Sequence, residues 1–419
     1  MSGTCVVVGG GPAGMVLGLL LARAGIEVTV LEKHGDFLRD FRGDTVHPST
    51  LTLLDDLGLF EAFDALPQTR IDGVSLPNPA GGSVRLVTLG RLRVPHPYIA
   101  MVPQWDLLDL LARAAGEEPT FALRMNTEAV DVLREGGRVT GVRYRSSQGV
   151  GELRADLVIA CDGRGSVLRR AAGLPVREYP VPFDVWWFRL PARGDPKASL
   201  LPRFHAGVAA VAIPRRGYFQ VAYLGRKGRD GELRRRGVEA LRQELRGLLS
   251  PEADVDALTS MDQVKHLDVR VDRLRRWHAD GLLCIGDAAH AMSPVGGVGI
   301  NLAVQDAVAT ARLLSPSLRR GRVGTRVLAR VRRRRLVPTV LIQAVQRVAH
   351  ARFVEPVLDG TWSAPSRRFV SVVSRFPALT VLPAYLIGVG PLPERVPDWA
   401  RRPARREPVP PAGPMPSPG

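Results

Sequence analysis

Residues 9–14 read GGGPAG. They stand between an apolar β-branched run, Thr4-Cys-Val-Val-Val8, and an apolar helical run reaching about Ala24. Gly25 closes that helix, as glycine commonly does one residue past a helix end. The next run, IEVTVL at 26–31, reads as a second strand leading to Glu32. Strand, helix and strand within about thirty residues make a βαβ unit, which commits the chain to a parallel sheet with a covering helix.

The spacing Gly9-x-Gly11-x-x-Gly14 carries chemistry as well as topology. Glycines there permit a tight turn and a close approach of backbone to a pyrophosphate, which the helix N-terminus attracts. Glu32, at the end of the second strand, is placed to accept the ribose hydroxyls of an adenosine half. Ala13 and Lys33 flank these positions and join the candidate binding set. A carboxylate at that point disfavours a 2′-phosphate, so FAD or NAD fits better than NADP.

Two later glycine motifs also follow apolar strands. ADLVIA runs into Cys161-Asp162-Gly163-Arg-Gly-Ser166, with Arg169 beyond. Taken alone it also fits a plain strand–turn–helix corner with Ser166 near a cap. The run GLLCI at 281–285 opens into GDAAHAMSPVGGVGIN at 286–301. A strand ending at Gly286-Asp287 can point a carboxylate at a ribityl or ribose hydroxyl. The helix that follows can aim its first amides at an electron-rich ring edge.

The three motifs together resemble those of the class A flavoprotein monooxygenases, the p-hydroxybenzoate hydroxylase-like group, in order and spacing over roughly residues 4–315. The resemblance implies FAD as cofactor and NADH or NADPH as reductant. It implies oxygen insertion from O2 through a flavin C4a-hydroperoxide, into an aromatic, polyketide-like or other lipophilic small molecule. It places Glu32 on the adenosine ribose and Gly11 and Gly14 at the pyrophosphate. Arg42 approaches the FAD, and Gln104 contacts the flavin chain. Asp162 and Gly163 support FAD and the passing nicotinamide. Asp287 binds the ribityl or pyrophosphate part. Pro294, Gly296 and Gly297 line the isoalloxazine, with Gly299 and Asn301 opening the helix at its pyrimidine edge. Pro294, His290 and His47 are flavin-adjacent candidates, but no catalytic acid or base is assigned; scaffold or packing roles suit both histidines.

The fold implied is α/β: a Rossmann-like FAD-binding domain interleaved with a β-sheet-rich substrate domain, plus C-terminal helices. FAD-domain pieces are read at 1–75, 97–170 and 276–345, and substrate-domain pieces at 76–96 and 171–275. A helical segment follows at 346–402, and a Pro- and Arg-rich tail at 403–419 is expected to be disordered. Strand alternation sends Trp186 and Trp187 to opposite faces, one of them towards a substrate.

Composition excludes some classes. The net charge is +17, yet only four residues are lysine, and no nucleic-acid module is visible. The three cysteines form no CxxC pair and read as small buried strand residues, so no metal site is expected. No signal peptide or long apolar span appears, which suits a cytoplasmic enzyme. The proline-broken stretch 377–392 either packs on the FAD domain or touches a membrane surface. Oligomeric state is not legible. Two alternatives stay open: a flavin-dependent reductase of the geranylgeranyl reductase-like type, and a flavin-binding protein without turnover. VWWFRLP lacks the spacing of a flavin-dependent halogenase.

Overall fold

The computed structural model describes residues 3–38, 45–77, 83–194, 202–205, 207–361, 371–373 and 375–403. Arg42 and residues 404–419 of the tail lie outside the described residues.

The first βαβ unit is β1 (Thr4–Val8), α1 (Pro12–Arg23) and β2 (Glu27–Leu31). A two-residue strand, β3 (Thr45–Val46), leads into α2 (Pro48–Asp56). Then come β4 (Ile99–Met101), α3 (Gln104–Gly116), β5 (Phe121–Arg124), β6 (Leu157–Ala160) and a single-turn helix, α4 (Val167–Ala171). The antiparallel section holds β7 (Phe183–Pro191), β8 (Pro202–His205), β9 (Val208–Arg215), β10 (Tyr218–Arg226), α5 (Asp230–Leu248) and β11 (Lys265–Leu267). The chain returns through β12 (His278–Ala279) and β13 (Leu282–Cys284) to α6 (Gly299–Leu318) and α7 (Thr325–Ala349), and later forms α8 (Val381–Gly388).

Six strands from separate stretches of chain form one sheet in the order β12-β13-β6-β1-β2-β5, parallel except for the edge strand β12. Its central strands are apolar on both faces because both are covered: α1, α3 and α6 pack together over the sheet, and the antiparallel strands of residues 128–154 pack on β6. β6 is buried at every position, and α1 packs against both α6 and α3. The register aligns Val8, Leu31 and Ala160 at one end of the sheet. All three glycine motifs therefore leave from the same edge, where ligands of open α/β sheets bind.

The second sheet, β8-β9-β10-β7-β11, is antiparallel throughout. Alternation along β7 separates the two tryptophans as expected. Trp186 is buried against α5, with its indole N–H donated to Asp230 at 2.8 Å. Trp187 points the other way, into apolar clusters that include Val211 and Val295. α5 is not one straight rod: Gly237 has φ +79° and ψ 173°, which breaks it into two segments. α7 continues to Ala349, across the 345/346 boundary read from the sequence. Cys5 and Cys284 are buried in strands, but Cys161 lies one residue beyond β6 and is partly exposed, because the chain is already turning outward there.

Candidate cofactor and substrate site

At the first motif, Gly9 adopts φ +104°, and a Cβ on it would lie 2.4 Å from the Cys161 carbonyl oxygen. A Cβ on Gly14 would lie 1.9 Å from the Gly9 oxygen, so any side chain would push the turn apart. Gly11, the N-cap of α1, faces open space, with nothing within 4 Å of an added Cβ. No side chain among the described residues caps α1, so its first amides are left for an outside acceptor. Glu32 closes the mouth of this turn. It is 2% exposed, and its carboxylate accepts the Gly10 N–H at 2.8 Å and the His34 N–H at 3.0 Å. Lys33 beside it is exposed.

The second motif is both a cap and a corner. Asp162 Oδ2 accepts the Val167 N–H at 2.8 Å, and Ser166 Oγ accepts the Arg169 N–H at 3.0 Å. The other carboxylate oxygen, Asp162 Oδ1, is buried without a hydrogen-bond partner among the described residues. Burial raises this carboxyl above its ordinary value, although the hydroxyl and amide bonds oppose the shift. Gly163 has φ +80° and open space where a Cβ would point. Arg164 reaches across to Asp287 at 3.4 Å. Gln104 opens α3, half-buried, and makes no side-chain hydrogen bond among the described residues.

The third motif rests on a buried ionic cluster. Asp306 receives His290 Nε2 at 2.6 Å, the Gly286 N–H at 3.1 Å and Arg335 Nε at 2.9 Å. The side chains of His290, Asp306 and Arg335 are at most 1% exposed. Burial pushes the Asp306 carboxyl up, but His290 and Arg335 outweigh it and hold the carboxyl below its usual value. His290 is thus a strut beneath the loop, where a side chain already engaged with a carboxylate belongs. Asp287, by contrast, keeps a third of its side chain exposed at the outer side of the turn.

The Pro294–Asn301 stretch is gripped from two sides. Gly296 and Gly297 have φ of +82° and +65°, a left-handed conformation that favours glycine. Thr45 Oγ1 and His47 Nε2 both lie 3.0 Å from the Gly297 carbonyl, and a Cβ on Gly297 would sit 2.7 Å from Thr45 Oγ1. Ser49 and Thr50 donate to Asn301 Oδ1 at 2.5 and 3.0 Å. From the opposite side, Gln346 donates to the Ser293 and Val295 carbonyls, both at 2.9 Å, and Gln343 donates to Ala291 at 3.2 Å. His47 is fully buried, and burial pushes its imidazole down to about 4. It is therefore neutral at ordinary pH and donates through Nε2.

The glycine motif marks the loop in the sequence but not its grips. Thr45, Ser49, Thr50, Gln343, Gln346 and Arg335 come from segments with no glycine motif. Their only trace is a polar residue placed where a helix or strand turns inward.

An apolar wall faces the loop. Val295 packs with Trp187, Ala222 and Leu224, while Met292, Val298 and Leu302 pack with Ile342 and Ile387. Trp187 Nε1 is buried without a hydrogen-bond partner among the described residues.

These residues suit a flavin dinucleotide. The uncapped amides of α1, the open space at Gly11 and Gly163 and the unpartnered Asp162 Oδ1 are all features a polar ligand completes. The fold and the three converging turns define a dinucleotide-binding α/β protein. A family model described as FAD binding domain matches residues 3–345. The chain is 35% identical over 383 residues to the 6-methylpretetramide 4-monooxygenase of Streptomyces rimosus, covering 89% of each protein. It is 28% identical over 336 residues to the para-nitrophenol 4-monooxygenase of Pseudomonas sp. strain WBC-3, covering 75% of this chain and 78% of that one. Its fold matches the anhydrotetracycline hydroxylase OxyS of S. rimosus with a TM-score of 0.74 at 22% identity, covering 93% of this chain and 76% of that one. The chain belongs to the FAD binding domain family, as an FAD-dependent monooxygenase of the class A type. The monooxygenase reading thus stands over the reductase and the non-catalytic alternatives.

Proposed function

We propose that this monooxygenase oxidises a lipophilic polycyclic aromatic molecule of polyketide type, with NADH or NADPH as the electron source. The observation that carries the substrate class is the 35% identity, over 89% of both chains, to a relative named for oxidising 6-methylpretetramide. The apolar wall around Trp187 supports it, since a flat aromatic substrate matches such a surface.

Bound at the three turns, the flavin supplies reductive activation of O2 and transfer of one oxygen atom to the substrate. The protein binds, orients and excludes water. Glu32 holds the adenosine ribose; Gly9, Gly11, Ala13 and Gly14 bring backbone amides to the pyrophosphate. Lys33 lends positive charge beside it. Asp162, Gly163 and Gln104 hold the middle of the cofactor, and Asp287 takes a ribityl or pyrophosphate oxygen. Pro294, Gly296, Gly297, Gly299 and Asn301 line the ring. Absence of side chains at the glycines permits close approach, and the grips on Gly297 and Asn301 keep that surface rigid. His47, neutral and hydrogen-bonded to the Gly297 carbonyl, orients the loop. His290 supports the same loop from beneath. The Trp187 N–H is free to meet a substrate oxygen. The apolar wall keeps water from the reacting centre. Residues 377–392 pack through buried Ala384 and Val389 against Val87, Leu89 and Leu92, and their exposed Leu379, Leu382 and Tyr385 leave a face for the peripheral membrane contact.

The test is a turnover assay with pretetramide-like polycyclic phenols. A substrate of this class should accelerate NAD(P)H consumption in air, and labelled dioxygen should appear in the product. Equal product formation under strict anaerobiosis would overturn the oxygen insertion. Turnover only with monocyclic phenols would overturn the substrate class.

A further inference from the structure

Fourteen large apolar residues are exposed among the described residues, and eleven of them fall between 337 and 385. That concentration is unlike the scattered apolar residues of an ordinary surface. Its core is α7. Arg326, Arg330, Arg333, Val337, Leu341, Val345 and Val348 recur every three or four residues, so they share one side of the helix. The opposite side, with Leu328, Val331, Ile342, Gln343 and Gln346, is buried and grips the flavin-facing loop. The outer side is bipartite: arginine along its first half, apolar along its second.

The arginine half borders a cavity of about 680 Å³ lined by Arg275, Arg276, His278, Arg326, Arg332 and Arg333, with Ala329. No carboxylate lines it. None of these five arginines forms an ion pair among the described residues. Arg332 Nε and His278 Nδ1 are buried there without hydrogen-bond partners among the described residues. The wider segment is as one-sided: residues 325–393 contain eleven arginines and only two acids, Glu355 and Asp359.

We propose that the outer side of α7 is a docking surface for an anionic lipid bilayer, with lipid phosphates seated in the arginine cavity and the apolar half against the acyl boundary. Charge decides the occupant. A second copy of this chain packed through the same side would set arginine against arginine with almost no carboxylate to pair them. An anionic membrane supplies both the phosphates and the apolar layer. Among the described residues no helix is long and apolar enough to cross a membrane, so the contact is a surface one. It brings the side of the enzyme that holds the loop to the phase where a lipophilic substrate concentrates.

The test uses the full-length, FAD-loaded protein and sedimentation with vesicles of phosphatidylcholine, with and without phosphatidylglycerol. Binding is expected only with phosphatidylglycerol at about 0.1 M salt, and it should weaken strongly near 1 M salt, where screening is nearly complete. Removing two surface arginines in Arg330→Gln/Arg333→Gln should weaken binding about 30-fold. Leu341→Gln/Val345→Gln should weaken it at least tenfold, with bound FAD unchanged in both variants. Failure of the native protein to bind phosphatidylglycerol vesicles overturns the proposal. So does binding that both double variants leave intact. Two other outcomes also overturn it: inorganic pyrophosphate bound in the cavity without vesicle binding, which makes it a soluble-anion site, and self-association lost in Leu341→Gln/Val345→Gln without vesicle binding, which makes it a dimer face.

Discussion

His47 offers a direct measure of how firmly the Pro294–Asn301 loop is built. Its imidazole is fully buried, held on the Gly297 carbonyl at 3.0 Å, and lowered to about 4 from an ordinary 6.5, chiefly by burial. Between those two values the unfolded chain binds a proton that the folded chain refuses, so stability falls as pH falls. The loss begins near pH 6.5, amounts to about 2 kcal/mol by pH 5 and saturates at about 3 kcal/mol below pH 4. His47→Gln keeps a side-chain N–H donor at similar reach and removes the titration. Urea unfolding of both proteins, followed at about pH 7.5, 6 and 5, isolates the contribution from every other titrating group. The native protein should lose about 2 kcal/mol relative to His47→Gln between pH 7.5 and 5. A difference that stays constant over that window would refute the reasoning, because it would mean that the imidazole is reached by water in the folded state.

Further expectations follow from the same geometry. Asp287→Ala should lower FAD retention at least tenfold, read as flavin absorbance after gel filtration; unchanged content would remove Asp287 from the cofactor site. Arg335→Met leaves Asp306 and Glu394 short of a buried partner and should cost about 3–5 kcal/mol in unfolding free energy, whereas a loss under 1 kcal/mol would show the cluster to be wet. Trp187→Phe preserves the wall but deletes its N–H. It should raise KM for an oxygen-bearing substrate roughly fivefold, and an unchanged KM would place substrate oxygen elsewhere.

The reading from residues alone went furthest where structure is local. The βαβ unit, the Asp162–Ser166 corner and the turn after β13 were each legible, because glycine dihedrals, helix caps and apolar periodicity act over a few residues. Ser166 caps α4 as one of the two sequence readings allowed. The opposite facing of Trp186 and Trp187 needed only strand alternation, but which one faces the loop required α5 to cover Trp186.

What the sequence by itself determined is a three-motif dinucleotide fold with glycines and a carboxylate at each turn, since those constraints live in nearby residues. Tertiary structure alone decided how the last motif is held. Thr45 and His47 reach Gly297 across 250 residues or more, and Gln346 reaches Ser293 across 53. Such pairs leave no spacing to read, because packing rather than chain distance selects them. The same holds for α7, whose arginines and valines look alike in sequence on every side until neighbours bury one face and leave the other bare.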